Sequence, residues 1–322
     1  MRSGVASMHL SLSESESRRF GLVVCRGGKL TPAETDAFLA ECAAMRTDVA
    51  ILRMAAQDAA SLIPALTPKC QTIPADMLLE FRKPLNQRTV ADALNSGAEI
   101  TELHAKNIDL LDGLVERCYA DYTNHYHSNP CLDHAAILPG LIEFSRNFVA
   151  RDDRTVFIAS RAGKPCGYLC MDISDGVGSS VIGGSALDIP ALLRHKILCD
   201  LTHHGDLWLL RRGVAKFSAV TRTDKIYIQK LLVHNMHCLP AGALTTVHVN
   251  LFLAAMQNDP VSATEGRSMS NALLQTKTLL RAATGPVERR AITIQHEGKK
   301  FQFAAESDKT GIMQFESCIL PS

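Results

Sequence analysis

The hydrophobic positions of the chain fall into short runs of alternating type. Leu22, Val23 and Val24 form an apolar run that predicts a strand. Thr31, Pro32 and Glu34 then mark a helix start, and Phe38, Leu39 and Cys42 carry that helix to about residue 45. Val49, Ile51 and Leu52 predict a second strand, 54–62 a short helix stopped by Pro64, and 77–81 a third strand. Strand, helix, strand, helix, strand is α/β patterning. It marks residues 16–88 as a small lobe behind a Ser- and Glu-rich lead-in at 1–15, which we expect to be flexible.

A polar stretch from Lys83 to Arg88 leads to a second lobe at 89–255. Leu110, Leu111, Leu114 and Val115 recur at helical spacing, and a second helix is expected at 139–147 with Pro139 in its first turn. Between them lies the densest polar and aromatic stretch of the chain, 119–130. The apolar runs 155–160 and 167–173 flank a hairpin-like break at 161–165, and a third strand at 179–186 follows Gly176 and Gly178. A helix at 191–202 comes next, with Leu193, Ile197, Leu198 and Leu201 on one face, and His203, His204 and Gly205 read as its end. Strand 214–220, helix 224–234 and strand 243–253 complete the lobe. The remainder, 256–322, predicts a helix at 267–284 and a hairpin of 291–295 with 301–305 that turns at Glu297 and Gly298.

Composition narrows the classes. The chain has 322 residues and is 46% hydrophobic, enough for a full core and for more than one domain. Its 34 Lys and Arg against 33 Asp and Glu leave a net charge of +1, without the cationic excess that binding to a phosphate backbone requires. Nucleic acid is therefore not an expected partner. Ten cysteines are scattered singly, no CxxC occurs, and the closest pair is Cys166 and Cys170. That spacing predicts reduced, core-packed thiols. With no apolar leader segment and no run long enough to span a bilayer, a cytoplasmic location and no membrane partner are expected.

The order of elements in the second lobe resembles the GCN5-related N-acetyltransferase (GNAT) superfamily: helices, hairpin, strand, helix, strand, helix, strand. The residues that carry the resemblance are Gly163, Pro165 and Gly167 in the hairpin, Val181 to Ser185 in the next strand, and the polar turn Thr221 to Lys225 entering a helix. Ser15 to Gly21, Asp48 to Arg53 and Asp76 to Phe81 are similar to the N-terminal half-domain of the TDP-fucosamine, sugar-nucleotide amine acetyltransferases, and His125 to Pro130 to a segment between two helices of that group. The resemblance implies a mixed α/β sheet with flanking helices, preceded by a smaller half-domain of the same kind. It further implies transfer of an acyl group from acetyl-CoA or another acyl thioester to the amine of a small molecule such as an amino sugar nucleotide. An acyl carrier protein is an alternative donor, and a homodimer is compatible.

On that resemblance, Gly183, Gly184 and Ser185 lie beside the acyl donor. His125, His127, Tyr126 and Asn129 face the acceptor, with His125 and His127 as candidate bases. Two departures stand out. Glycines of a phosphate-binding turn are absent at 188–196, leaving Arg194 and Lys196 as the cations for a phosphate, with His195 between them. Leu232 occupies the position of the family's tyrosine acid, for which Tyr227 is the substitute. These departures sustain a second reading, a catalytically degenerate binding or scaffold module. Asp121, His125, His127, Cys131, Asp133 and His134 sustain a third, a metal-dependent enzyme, although no recognised ligand spacing is present and no metal is expected.

Overall fold

The computed structural model describes residues 10–149 and 152–251, together with the backbone of three strands at 288–296, 299–307 and 313–316. The helix expected at 267–284 and the turn residues Glu297 and Gly298 lie outside the described residues.

The first lobe begins with β1 (Ser11–Leu12) and α1 (Glu14–Phe20), which Gly21 ends in the left-handed conformation at φ 63°. The lead-in is thus structured from residue 11, because Glu14 and Glu16 in the first turn and Arg18 and Arg19 in the last complement the helix dipole. β2 (Val24–Gly27), α2 (Thr35–Ala44) and β3 (Val49–Ala55) follow, then α3 (Ala56–Leu66) and β4 (Gln71–Pro84). Pro64 does not stop α3. The carbonyl it would otherwise bond belongs to Ala60, and both residues are exposed, so water satisfies the freed group.

The second lobe comprises β5 (Glu99–Glu102), α4 (Leu110–Tyr119), α5 (Ile137–Arg146), β6 (Arg154–Arg161), β7 (Lys164–Ser174), β8 (Val177–Ser185), α6 (Ala191–Arg211), β9 (Lys216–Arg222), α7 (Ile226–His234) and β10 (Leu239–Asn250). Helix α6 runs straight through His203, His204 and Gly205 instead of ending there. Gly205 serves close packing: a Cβ on it would stand 2.9 Å from the Met171 sulfur. Helix α5 starts two residues before Pro139.

Strands β1 to β10 form one mixed, mostly antiparallel sheet in the order β1-β2-β3-β10-β4-β9-β8-β7-β6-β5. The sheet with flanking helices expected from the sequence is observed. The two lobes expected at 16–88 and 89–255 share it, because β10 is inserted between β3 and β4 and is antiparallel to both. Helices α4 and α5 cover one face through Leu111, Leu114 and Val115 against Val156, Ile158, Tyr168 and Cys170. Helices α6 and α7 cover the other, where Trp208, Leu209 and Leu231 join Phe81, Met171 and Phe217. Helices α2 and α3 pack on Ala50, Leu52, Val247 and Val249.

The segment between β4 and β5 has no regular structure, yet α6 pins it. Asp200 accepts the amides of Leu94 (2.7 Å), Asn95 (3.1 Å) and Ser96 (2.7 Å), while Asp206 accepts that of Ala91 at 2.8 Å and pairs with the fully buried Lys83 at 2.5 Å. Residues 255–322 form a separate unit. Within it β11 (Glu288–His296), β12 (Lys299–Ser307) and β13 (Met313–Glu316) make an antiparallel meander, so the expected hairpin forms with longer strands and a third strand added.

Candidate active site

Strands β8 and β9 are parallel neighbours only over Gly178 to Ser180 and Phe217 to Ala219. Beyond that point β8 stays with β7 and β9 with β4, so the sheet opens into a wedge. Val181 is the residue skipped where the β7–β8 register shifts. Such a bulge bends its strand, which here turns β8 away from β9. Ala186 donates its amide to the Cys166 carbonyl at 3.0 Å, and this bond fixes the phase of the ladder. Ile182 and Gly184 then turn their backbone groups toward β7, whereas Gly183 and Ser185 turn theirs into the wedge.

Both glycines are demanded by packing. A Cβ on Gly183 would meet the Tyr168 carbonyl oxygen at 2.8 Å, and one on Gly184 the Cys118 Cβ at 3.1 Å. One of the outward groups is already engaged: the Tyr119 hydroxyl donates to the Gly183 carbonyl at 2.6 Å. Burial raises the pKa of Tyr119 far above the ordinary phenol, which keeps it a donor. The wedge therefore presents the two amides as donors, with a tyrosine fixing the strand that carries them.

Helix α6 starts beside this wedge at Pro190 and Ala191, with Leu192 72% exposed. Arg194 and Lys196 lie in its first two turns and are half-buried, and the Arg194 Nε is buried without a partner. A half-buried guanidinium with an unused donor can hydrogen-bond an oxyanion. His195, between them, meets the Tyr227 hydroxyl through Nδ1 at 2.9 Å. Tyr227 is 46% exposed, and desolvation raises its pKa to about 12. The structure thus joins Tyr227 of α7 to the start of α6.

The loop 119–136 crosses the sheet over β3, β10 and β4. His125, Tyr126 and Asn129, expected to face an acceptor, are instead buried in hydrogen bonds. Tyr126 donates to Glu16 and accepts from Arg26 at 2.9 Å, and Arg26 in turn donates to both Glu16 oxygens. His125 Nδ1 meets His248 Nε2 at 2.9 Å. Asn129, with no exposed surface, exchanges amide hydrogen bonds with Asn250 at 2.9 and 3.1 Å and also contacts His248 Nδ1 at 3.2 Å. Desolvation and the neighbouring charges lower the pKa of His125 well below the imidazole norm and that of His248 to about 4, so both rings are neutral near pH 7. His127 is half-buried, and its Nδ1 is held by Asn124 at 3.0–3.1 Å. Among the described residues no three His, Cys, Asp or Glu side chains converge to hold a metal ion, and the His-rich segment spends its side chains on these internal bonds.

Next to this network lies a row of residues that motif reading missed. Arg53 of β3, Thr246 of β10 and Asp76 of β4 are directly opposite one another in register. Strand alternation puts them on the face crossed by the loop, together with Arg222 of β9. Arg53 Nε reaches the Thr246 hydroxyl at 3.3 Å, and among the described residues Arg53 forms no ion pair. Asp76 Oδ1 is buried without a partner. Desolvation raises the pKa of Asp76 against the opposing pull of Thr246, Arg53 and Arg222. Arg222 is bound to Asp224 at 2.9 Å and to the Thr123 carbonyl, which ties the loop to the rim of the wedge. The signal that could have found these residues was a charged residue at an inward position of a strand, visible at Arg53 and Asp76 as soon as β3 and β4 are assigned.

No family model matches the chain, and no curated protein matches it in sequence. Among solved structures, a functionally unknown conserved protein from Staphylococcus epidermidis ATCC 12228 superposes with a TM-score of 0.51 at 9% identity, over 77% of this chain and 94% of that one. The chain shares its fold. A GCN5-related N-acetyltransferase from Kribbella flavida gives 0.49 at 12% identity, over 76% of this chain and 90% of that one. Saccharomyces cerevisiae N-myristoyltransferase with bound myristoyl-CoA gives 0.46 at 11% identity, over 71% and 60%.

Proposed function

We propose that the protein is an N-acyltransferase that takes an acyl group from an acyl thioester, acyl-CoA in the first instance, and passes it to the amine of a small molecule. The observation that carries this reading is the wedge between β8 and β9, with the Gly183 and Ser185 amides turned into it. Such a slot accepts a slender, amide-bearing chain as though it were a missing strand, and fixed N–H donors polarise a carbonyl oxygen lying against them. The thioester supplies the activated carbonyl. The chain's own contribution is to hold that carbonyl against the two amides, to present Arg194 and Lys196 to the anionic end of the donor, and to offer Tyr227 as proton source for the departing sulfur.

The starting geometry of α6 favours donors that rely little on a nucleotide. With Pro190 and the exposed Leu192 at its first turn, the helix lacks a glycine cradle, and acyl-pantetheine carried on a protein fits the same slot. Calorimetric titration with acetyl-CoA, longer acyl-CoAs and acyl-pantetheine tests the reading. Saturable binding that raises the melting temperature is expected. No heat and no stabilisation with any of the three would overturn it.

A further inference from the structure

Resting on the acyltransferase reading, we propose that the row Arg53, Thr246 and Asp76 is the acceptor subsite, and that the acceptor is a small amine carrying an oxyanion, a carboxylate or phosphate, a few bonds from its nitrogen.

The argument starts from position. Reading along the sheet from the wedge, the strands are β9, β4, β10 and β3, spaced about 4.8 Å apart. On the loop-covered face they carry Arg222, Asp76, Thr246 and Arg53 in turn. Asp76 lies two residues along β4 from Leu78, the partner of Arg222 at the rim of the wedge. Unlike Glu80 and Asp224, which pair with Arg82 and Arg222, it has no ion-pair partner among the described residues; the Arg53 backbone is two strands further on. Arg53 leans toward Asp76, since its Nε touches the hydroxyl of the intervening Thr246.

The second argument is one of unmet valence. Elsewhere on this face charged groups are paired: Arg26 with Glu16, Arg222 with Asp224, Arg19 with Glu143. Arg53 and Asp76, one residue apart across the row, do not close an ion pair. Arg53 keeps its Nη donors without a hydrogen-bond partner among the described residues, and Asp76 keeps Oδ1 without one. Both residues are half-buried, and the Asp76 Oδ1 is the atom cut off from water with nothing paired to it. A ligand with an ammonium at one end and an oxyanion at the other engages both, whereas a neutral amine leaves the Arg53 Nη donors to water. Burial weakens the acidity of Asp76 and makes it a stronger base than an exposed aspartate.

The reaction balances on these groups. The bound ammonium gives one proton to Asp76, which passes it to solvent. The nitrogen lone pair forms the C–N bond, the C–S bond breaks with its electrons left on sulfur, Tyr227 protonates the sulfur, and the second nitrogen proton replaces the one Tyr227 gave up. The products are the amide and the free thiol.

The test uses the full chain and three matched pairs: β-alanine with its amide, γ-aminobutyrate with its amide, and phosphoethanolamine with ethanolamine. Saturation-transfer NMR reads amine binding without donor, and thiol release from acetyl-CoA reads turnover. The anionic member of at least one pair is expected to bind and to turn over at least tenfold better than its neutral partner. Arg53→Met should erase that preference while leaving acetyl-CoA binding unchanged. Asp76→Asn should lower kcat at least a hundredfold and leave the anion preference in place. The carboxylate and phosphate pairs identify which oxyanion is read. Turnover with equal use of charged and neutral amines would overturn the subsite and spare the acyltransferase. Binding of the anionic amines that Arg53→Met abolishes, with no donor binding, would spare the subsite and overturn the acyltransferase. Loss of thermal stability in Arg53→Met is controlled by Arg53→Lys, which should keep part of the preference. No binding of any amine would overturn the proposal.

Discussion

Single side chains in this protein divide into those that close the fold and those left open, and pH separates them. Glu16 is 3% exposed, and although desolvation opposes it, the Arg26 hydrogen bond and charge hold its pKa down to about 2, from an ordinary 4.5. Because the folded value is the lower one, the stability it contributes is complete above about pH 4.5 and is lost as pH falls toward about 2. Urea unfolding followed across that range should show the loss, and Glu16→Gln should remove its share of the dependence at a cost of about 1–3 kcal/mol near pH 7, since the Arg26 side chain is 39% exposed and water takes up part of its charge. The sequence predicted that His125, Tyr126 and Asn129 face an acceptor, because it could not show that His248 and Asn250 arrive from a distant strand to occupy polar atoms of His125 and Asn129. Arg53 and Thr246, 193 residues apart in sequence, come together by the same insertion. Only strand pairing reveals which charges remain unsatisfied.

At the scale of elements, glycine carries most of the information, and its meaning depends on what lies across from it. Gly183 and Gly184 are placed beside an acyl donor by resemblance, and what lies across from them in the structure is the Tyr168 carbonyl and the Cys118 side chain. Gly205 was read as a helix end, and there the governing fact was Met171 on a strand beneath it. Pro64 lies one turn from the end of α3, where it costs the helix one hydrogen bond to an exposed carbonyl, and the helix runs only two residues further, to Leu66. Gly184→Val tests the wedge. The new side chain would begin 3.1 Å from the Cys118 Cβ and push α4 off β8. Overpacking of this kind costs about 1–3 kcal/mol, and acetyl-CoA affinity should fall at least tenfold in calorimetric titration. Gly113→Ala, on α4 with open space around its Cβ, is the control. It should leave donor affinity unchanged and raise stability by about 0.5–1 kcal/mol.

The whole molecule is organised around a strand that comes late. The alternation of apolar runs predicted two lobes, and the structure gathers both ranges around one sheet. What the alternation could not show is that the first lobe lacks its centre: β3 and β4 are not neighbours, and β10 fills the gap between them. A fragment of residues 10–88 should therefore be unfolded or aggregated by circular dichroism and light scattering, because the facing edges of β3 and β4 would be bare. A fragment of residues 10–251 should give the cooperative melt of a folded sheet. A folded, monomeric 10–88 fragment would contradict the inserted-strand topology.

The same insertion sets a clock on synthesis. More than 150 residues separate the end of β4 at Pro84 from the start of β10 at Leu239. At about 5–20 residues per second, a ribosome leaves the nascent first lobe incomplete for roughly 8–30 seconds. During that interval two apolar strands wait for a partner not yet translated, so the yield of native protein should depend on chaperone occupancy and on translation speed downstream of β4.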